Sequence, residues 1–512
     1  MSPKPSDPTT TELDLLRAIE TLEAIVADPT LSAGLTREDH VRLMAAAGRL
    51  SRPAKLERLR ISRKIRKERH RRVLKADRDA VASTGIREAR RADVFIAPLP
   101  QLPAPESPAE EVRKARSCYV CKKDYTRLHH FYDGMCPACA DLNYAKRFQA
   151  ADLAGRTALI TGARLKIGYQ AGLKLLRAGA RVIVSTRFPH DAARRYAAEP
   201  DAAEWGGRLR IHGLDLRHSP SVEVFARFLC RTESRLDALL NNAAQTVRRP
   251  VAFYRHLLDV EALSWKSLSP AEQSLLEGHY DCRAALEQSA PEDPASSRSL
   301  SLLDGAAVGV GIRDSARLSQ LRMTYDDRIC GRDVFPSGRL DADLQQLDLR
   351  TQNSWRMTLA EVPTAELLEV LLINSVAPFV LAARLKPLML QAGTREVHVV
   401  NVSAMEGVFS RGTKTDKHPH TNMAKAALNM MTRTSAPDYA RDGIHMNAVD
   451  TGWVTDEDPV AHALRKQAVH DFQPPLDVVD GAARILDPLF SGLRSGVHAS
   501  GVFFKDYQPS SW

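Results

Sequence analysis

Residues 158–187, ALITGARLKIGYQAGLKLLRAGARVIVSTR, constrain the fold of this chain more than any other stretch. An apolar run ends at Thr161 and Gly162, a short turn follows to Gly168, a helical pattern of Leu and Ala comes next, and a second apolar run closes at Thr186. Strand, tight turn, helix and strand in that order open a parallel α/β unit. From Gly155 onward β-like runs keep alternating with helical stretches, which predicts a Rossmann-like, doubly wound parallel sheet with helices on both faces. No internal repeat of fixed period interrupts it.

At 512 residues the chain is longer than one ordinary core, and it divides by composition. Residues 1–92 read as a helical, basic N-terminal region: Thr9 and Glu12 fit a capping box, Leu13, Leu16, Ile19 and Leu22 recur at helical spacing, and a longer helix is expected after Pro53. Residues 93–112 read as a Pro-rich linker, 113–148 as a four-cysteine module, and 149–512 as the α/β domain. Residues 1–30 lack a secretory signal, and no apolar run approaches the ~20 residues that span a bilayer, so a soluble cytoplasmic protein without a membrane partner is expected.

The net charge of +10 concentrates in residues 55–78, which hold twelve Lys or Arg against three acids. Such a segment is either the solvated face of a long helix or a contact for nucleic acid or an acidic protein, since clustered cations release counterions from phosphates. Seven cysteines, an odd number, argue against a disulfide framework. Cys118 with Cys121, and Cys136 with Cys139, form two CxxC pairs 14 residues apart, the pattern of a closed four-thiolate Zn²⁺ site of structural type. A redox CxxC is the rival reading, and His129 and His130 between the pairs read as packing or surface groups.

The strand–turn–helix resembles the short-chain dehydrogenase/reductase family, whose first turn is T-G-x-x-x-G-x-G. Thr161, Gly162 and Gly168 match, while Lys166 stands at the middle glycine. Asp215 and Leu216 fall where the family contacts adenine, Asn241 to Ala244 resemble its N-N-A-G strand end, Asn374 fits its helix asparagine, and Asn447 to Gly452 resemble N-x-V-x-P-G with Thr451 for proline. The resemblance implies a dinucleotide site at Thr161, Gly162, Arg164, Lys166, Ile167, Gly168, Asp215, Leu216, Asn242, Ala243 and Lys425. Arg187, directly after the second strand, replaces the acid that would hold the ribose of NAD, so NADP(H) is the expected cofactor; the plain alternative is a solvated loop cation.

Two departures bear on chemistry. The family's catalytic tyrosine lies four residues before its lysine, but Thr421 stands four before Lys425; Ser403 is present, and Ala404 replaces the second serine of N-x-S-S. A threonine hydroxyl is far less acidic than a phenol and cannot replace it as a general acid. His418, His420 and Ser403 are the nearby substitutes, the histidines either as proton carriers or as loop contacts. The second departure is an insertion over residues 245–363, either a lid or partner-docking element at the C-terminal strand edge or a remote decoration; within it 270–288 looks helical and 291–299 flexible.

Three functions follow as expectations. One is an atypical NADP(H)-dependent oxidoreductase acting on a small-molecule carbonyl or enoyl substrate, with Lys425 and Asn374 positioning the cofactor and His418 or His420 carrying the proton. A second is a catalytically silent NADP(H)-binding sensor or scaffold signalling to a protein or nucleic-acid partner. The third is a nucleic-acid-binding protein built on the basic helix and the cysteine module. The resemblance also implies homo-oligomers through the helix after Lys425.

Overall fold

The computed structural model describes residues 10–52, 55–92, 94–95, 110–288 and 309–512. The Thr9 cap, most of the Pro-rich linker and the 291–299 stretch lie outside the described residues. The chain forms two compact units, Met1–Ala76 and Asp77–Trp512.

The first unit is helical: α1 (Thr10–Ala27), α2 (Arg37–Ser51) and most of α3 (Lys55–Ala82). Two helices, where the sequence reading expected one, precede Pro53. The start of α2 has a local cause: Thr36 accepts from the Asp39 N–H at 3.1 Å, and Glu38 and Asp39 face the positive helix end.

In the second unit, a hairpin of β1 (Glu111–Ser117) and β2 (Asp124–Arg127) leads to α4 (Pro137–Arg147), and these carry the four cysteines. Next come β3 (Thr157–Thr161), α5 (Lys166–Arg177), β4 (Arg181–Thr186), β5 (Leu209–Gly213), α6 (Ser219–Thr232) and β6 (Ala238–Asn241). Past the insertion, whose helix α7 (Pro270–Gln288) matches the predicted span, the chain continues through α8 (Thr364–Leu390), β7 (Val397–Ser403), α9 (Pro419–Arg441), β8 (Ile444–Asp450), α10 (Val460–His470), α11 (Val478–Ser495), β9 (Phe503–Lys505) and β10 (Gln508–Ser510).

The sheet order is β10-β9-β8-β7-β6-β3-β4-β5, parallel throughout except for β10. Strand alternation separates two cores. Ala158, Ile160, Val182 and Val184 point to one face, with Leu173 and Leu176 of α5 and Ile485 and Leu489 of α11; Leu159 and Ile183 point to the other, with Phe225 of α6 and Leu381 and Leu385 of α8. That is the doubly wound arrangement, and its switch point lies between β3 and β6, where a crevice opens at the strand ends.

Helix α8 has the length and mean hydropathy (1.7) of a membrane-crossing segment, an apolar run the sequence reading did not single out. Here half of that window is buried, and a single π-helical turn, Leu372–Val376, interrupts it at Asn374.

Candidate functional site

The turn after β3 is built for close backbone approach. A Cβ at Gly162 would lie 2.8 Å from the Ala243 Cα, and one at Gly168 would lie 2.5 Å from the Gly162 carbonyl oxygen. Helix α5 starts there without a side-chain cap, so its first N–H groups face the crevice mouth as an anion-seeking end. Lys166 adopts the left-handed backbone of the glycine it replaces, φ 54°, a conformation that costs an L-residue about 1–2 kcal/mol. Its ammonium lies 3.9 Å from Asp343 of the insertion. Ile167 turns the other way, against Gly481 of α11.

Several expected cofactor residues serve the protein itself in this arrangement. The Thr161 hydroxyl accepts from the N–H groups of Asn242 (3.1 Å) and Ala243 (3.0 Å), and the Asn242 amide donates to the Thr161 carbonyl at 2.9 Å, bracing the ends of β3 and β6. Arg164 is buried in an ion pair with Asp191 at 2.6 Å. Asp215 is fully buried, its carboxylate held by Arg217, and Leu216 is buried beside it. Arg187 donates to the Tyr254 hydroxyl at 2.9 Å and lies over that ring.

The insertion covers the strand ends. The Asp215 N–H donates to the Gly311 carbonyl at 2.8 Å, the Ser315 hydroxyl to the Arg187 carbonyl at 3.0 Å, and the Gly213 N–H to His279 Nδ1 at 3.2 Å. Phe188 packs into an apolar cluster with Phe253, Tyr254, Leu257, Ala316 and Phe335. Beside Lys166 a cavity of about 150 Å³ remains, and its carboxylates, Asp341, Asp348, Asp456, Glu457 and Asp458, outnumber Lys166, Arg249 and Arg350. Ligand pockets usually measure ~300–1,000 Å³. The glycine turn and the uncapped helix end fit a diphosphate, and the insertion lies over the strand ends beside them.

The expected reacting residues gather around β7 and the start of α9. Lys425 is buried and donates to the Val402 carbonyl at 2.6 Å; burial pulls its pKa down to about 8, against the opposing pull of Glu406 and Asp450. The Ser403 hydroxyl donates to the Asn429 amide oxygen at 2.5 Å. The Thr421 hydroxyl donates to the His418 carbonyl at 2.9 Å and meets His418 Nδ1 at 2.9 Å, so the ring is held at Nδ1. Burial lowers the His418 pKa. His420 is buried with Nε2 3.5 Å from Glu366, and neither ring nitrogen makes a hydrogen bond. Asn374 bonds Gln245 through both amide atoms, at 2.8 and 3.1 Å, and so closes the start of the insertion.

A family profile described as short chain dehydrogenase matches residues 156–261, and one described as Enoyl-(Acyl carrier protein) reductase matches residues 340–473. The uncharacterized protein R665 of Acanthamoeba polyphaga mimivirus is 30% identical over 391 residues, covering 74% of this chain and 72% of that one. The chain belongs to the short-chain dehydrogenase family. Dehydrogenase/reductase SDR family member 13 of Bos taurus is 40% identical over 95 residues, 18% of this chain and 24% of that protein, so this chain spans about a quarter of that relative. Among solved structures, carbonyl reductase Sniffer of D. melanogaster is 16% identical with a TM-score of 0.41, covering 70% of this chain and 99% of that one.

Outside the stretches matched by the short-chain dehydrogenase profiles, the sulfurs of Cys118, Cys121, Cys136 and Cys139 lie within 4.8 Å of one another, and Cys121 and Cys136 are 3.7 Å apart. Four thiolates on a tetrahedral ion with ~2.3 Å bonds stand about 3.8 Å apart, so the donor set fits Zn²⁺. His129 and His130 lie outside that cluster of metal-capable groups. The module is not free-standing: Val81, Ile86, Tyr132 and Met135 share its core with Val454 and Leu476.

Sequence reasoning missed Trp355, whose ring stacks on His418, and Glu366, which faces His420. Trp355 lies within the insertion, and nothing along the chain links it to a residue more than sixty positions away. Tyr254 and Asp343, which hold Arg187 and Lys166, had no signal at all.

Proposed function

We propose that this chain is an atypical NADP(H)-dependent oxidoreductase of a carbonyl or enoyl substrate, in which the usual serine and tyrosine are replaced. The observation that carries the reading is Lys425: a buried lysine kept at the family position, on a helix that opens at His418, seven residues and about two turns earlier. NADP(H), when bound, supplies or accepts the hydride. This chain's part is to seat the diphosphate on the α5 end, offer Arg187 to the 2′-phosphate, hold Lys425 by the ribose and move a proton at His418. The insertion acts as a lid, since its segments 309–315 and 251–257 cover the strand ends where the adenosine would lie. Zn²⁺ on the four cysteines is structural, and the basic face of α3 contacts an acidic partner, either nucleic acid or protein.

One set of observations favours a second reading, a catalytically silent NADP(H)-binding sensor or scaffold. Lys425, Ser403 and Thr421 all bond to the protein, and the insertion closes the crevice. NADPH titration followed by a turnover panel of carbonyl and enoyl compounds separates the two. Binding with slow oxidation that is abolished in Lys425→Ala supports the oxidoreductase; binding without turnover on any substrate supports the sensor; no binding overturns both.

A further inference from the structure

A second cavity, of about 330 Å³, opens where α10 meets the last turn of the insertion, and it falls in the size range of small-molecule sites. Arg356, His462, Arg465, Lys466 and His470 line it, with Asp458 as the single carboxylate. Asp458 is already engaged: Arg356 holds it at 3.2 Å and Lys466 at 2.9 Å, while Lys466 also holds Asp456 at 2.6 Å. That network fixes two cations in the wall. Arg465, His462 and His470 have no ion-pair partner among the described residues, and Arg465 is exposed and free to turn its guanidinium fork toward a ligand.

We propose that this cavity binds the anionic group, phosphate or carboxylate, of a small-molecule substrate. Its place in the fold supports the assignment. Arg356 directly follows Trp355, and Trp355 lies flat on His418, so the cationic wall begins at the residue next to the indole that covers the His418 imidazole. The proposal rests on the oxidoreductase reading above and names the substrate class of that site: compounds with a phosphate monoester or a carboxylate some distance from the reacting carbon.

Calorimetric titration of the full-length protein with inorganic phosphate and with succinate tests it, comparing Arg465→Glu with Arg494→Glu, an exposed charge change of equal size on α11. The expected result is saturable binding at around millimolar Kd, weakened at least tenfold in R465E and unchanged in R494E, with the tighter of the two probes identifying phosphate or carboxylate chemistry. No saturable binding of either probe, or equal loss in both variants, overturns the anion site. NADPH titration of the same samples keeps the two claims apart, because R465E is expected to leave NADPH affinity unchanged. Anion binding without NADPH binding overturns the oxidoreductase reading and leaves the pocket standing.

Discussion

The Trp355 indole lies flat on the His418 imidazole, with ring centroids 3.9 Å apart and planes 6° from parallel. His418 has a left-handed backbone, φ 41°, and its N–H donates to the Met357 carbonyl at 2.8 Å, so one short stretch of the insertion fixes both the ring and the chain beneath it. Stacking of this kind contributes on the order of 1 kcal/mol beyond area burial. Trp355→Ala is expected to raise the His418 pKa toward its ordinary value by readmitting water, and Trp355→Phe to restore most of the depression. Imidazole NMR titration reads both; an unmoved pKa in W355A would separate the stack from the histidine's electrostatics.

Lys425 gives the protein a pH signature. Its folded pKa of about 8 is depressed from 10.5, so between these values the unfolded chain holds the proton more tightly, and stability rises with pH across that window. The burial cost, roughly 3 kcal/mol by ~1.4 kcal/mol per pKa unit, is fully present below pH 8. In urea unfolding from pH 7 to 10.5, Lys425→Met is expected to lose the rise that the native chain shows. Parallel slopes in the two proteins would mean that Lys425 is not the group responsible.

Arg147, fully buried, joins the cysteine module to α11 through Asp477 at 2.7 Å and Asp480 at 2.8 Å, and Tyr132 donates to the same Asp480 at 2.5 Å. Truncating one partner of such a group strands the others in low dielectric, at about 3–5 kcal/mol. Arg147→Met is therefore expected to lower Tm well beyond any surface arginine substitution. A drop no larger than that of Arg494→Met would show the cluster to be solvated.

Arg187 sets the expected cofactor choice. Charge-assisted bonds contribute about 1.5–3 kcal/mol, so Arg187→Ala should weaken NADPH roughly 10- to 100-fold and leave NADH nearly unchanged. Nicotinamide fluorescence titrations measure both. Equal affinities for NADPH in the two proteins would end the case for a 2′-phosphate contact.

Metal content is a separate matter. One zinc per chain is expected by elemental analysis, lost in Cys136→Ser together with a lowered Tm, because the cysteines hold the packing around Tyr132 and Met135. Full retention of the metal in the variant would place it elsewhere.

The sheet was legible from the sequence because strand alternation and the Gly162–Gly168 turn are local patterns, and the CxxC spacing announced its cluster for the same reason. The positions of Lys425, Thr421 and His418 were readable from a fixed interval along one helix. What they touch was not. Trp355 on His418, Glu366 by His420 and Gly311 on Asp215 are pairings across an insertion with no matching motif, and long-range packing leaves no periodic trace in the chain. The Lys166 substitution could be seen, but only the backbone shows that a lysine accepts the glycine's conformation and spends its charge on Asp343.

The Arg147 cluster also sets a timetable for synthesis. Arg147 and Asp480 are 333 positions apart, so the cysteine module leaves the ribosome long before the helix it locks onto exists. Until α11 emerges, the module's buried arginine and the apolar side chains around Tyr132 have no seat. Helix α11 is thus the piece that lets an earlier-made one finish, and removing α11 should harm the cysteine module first.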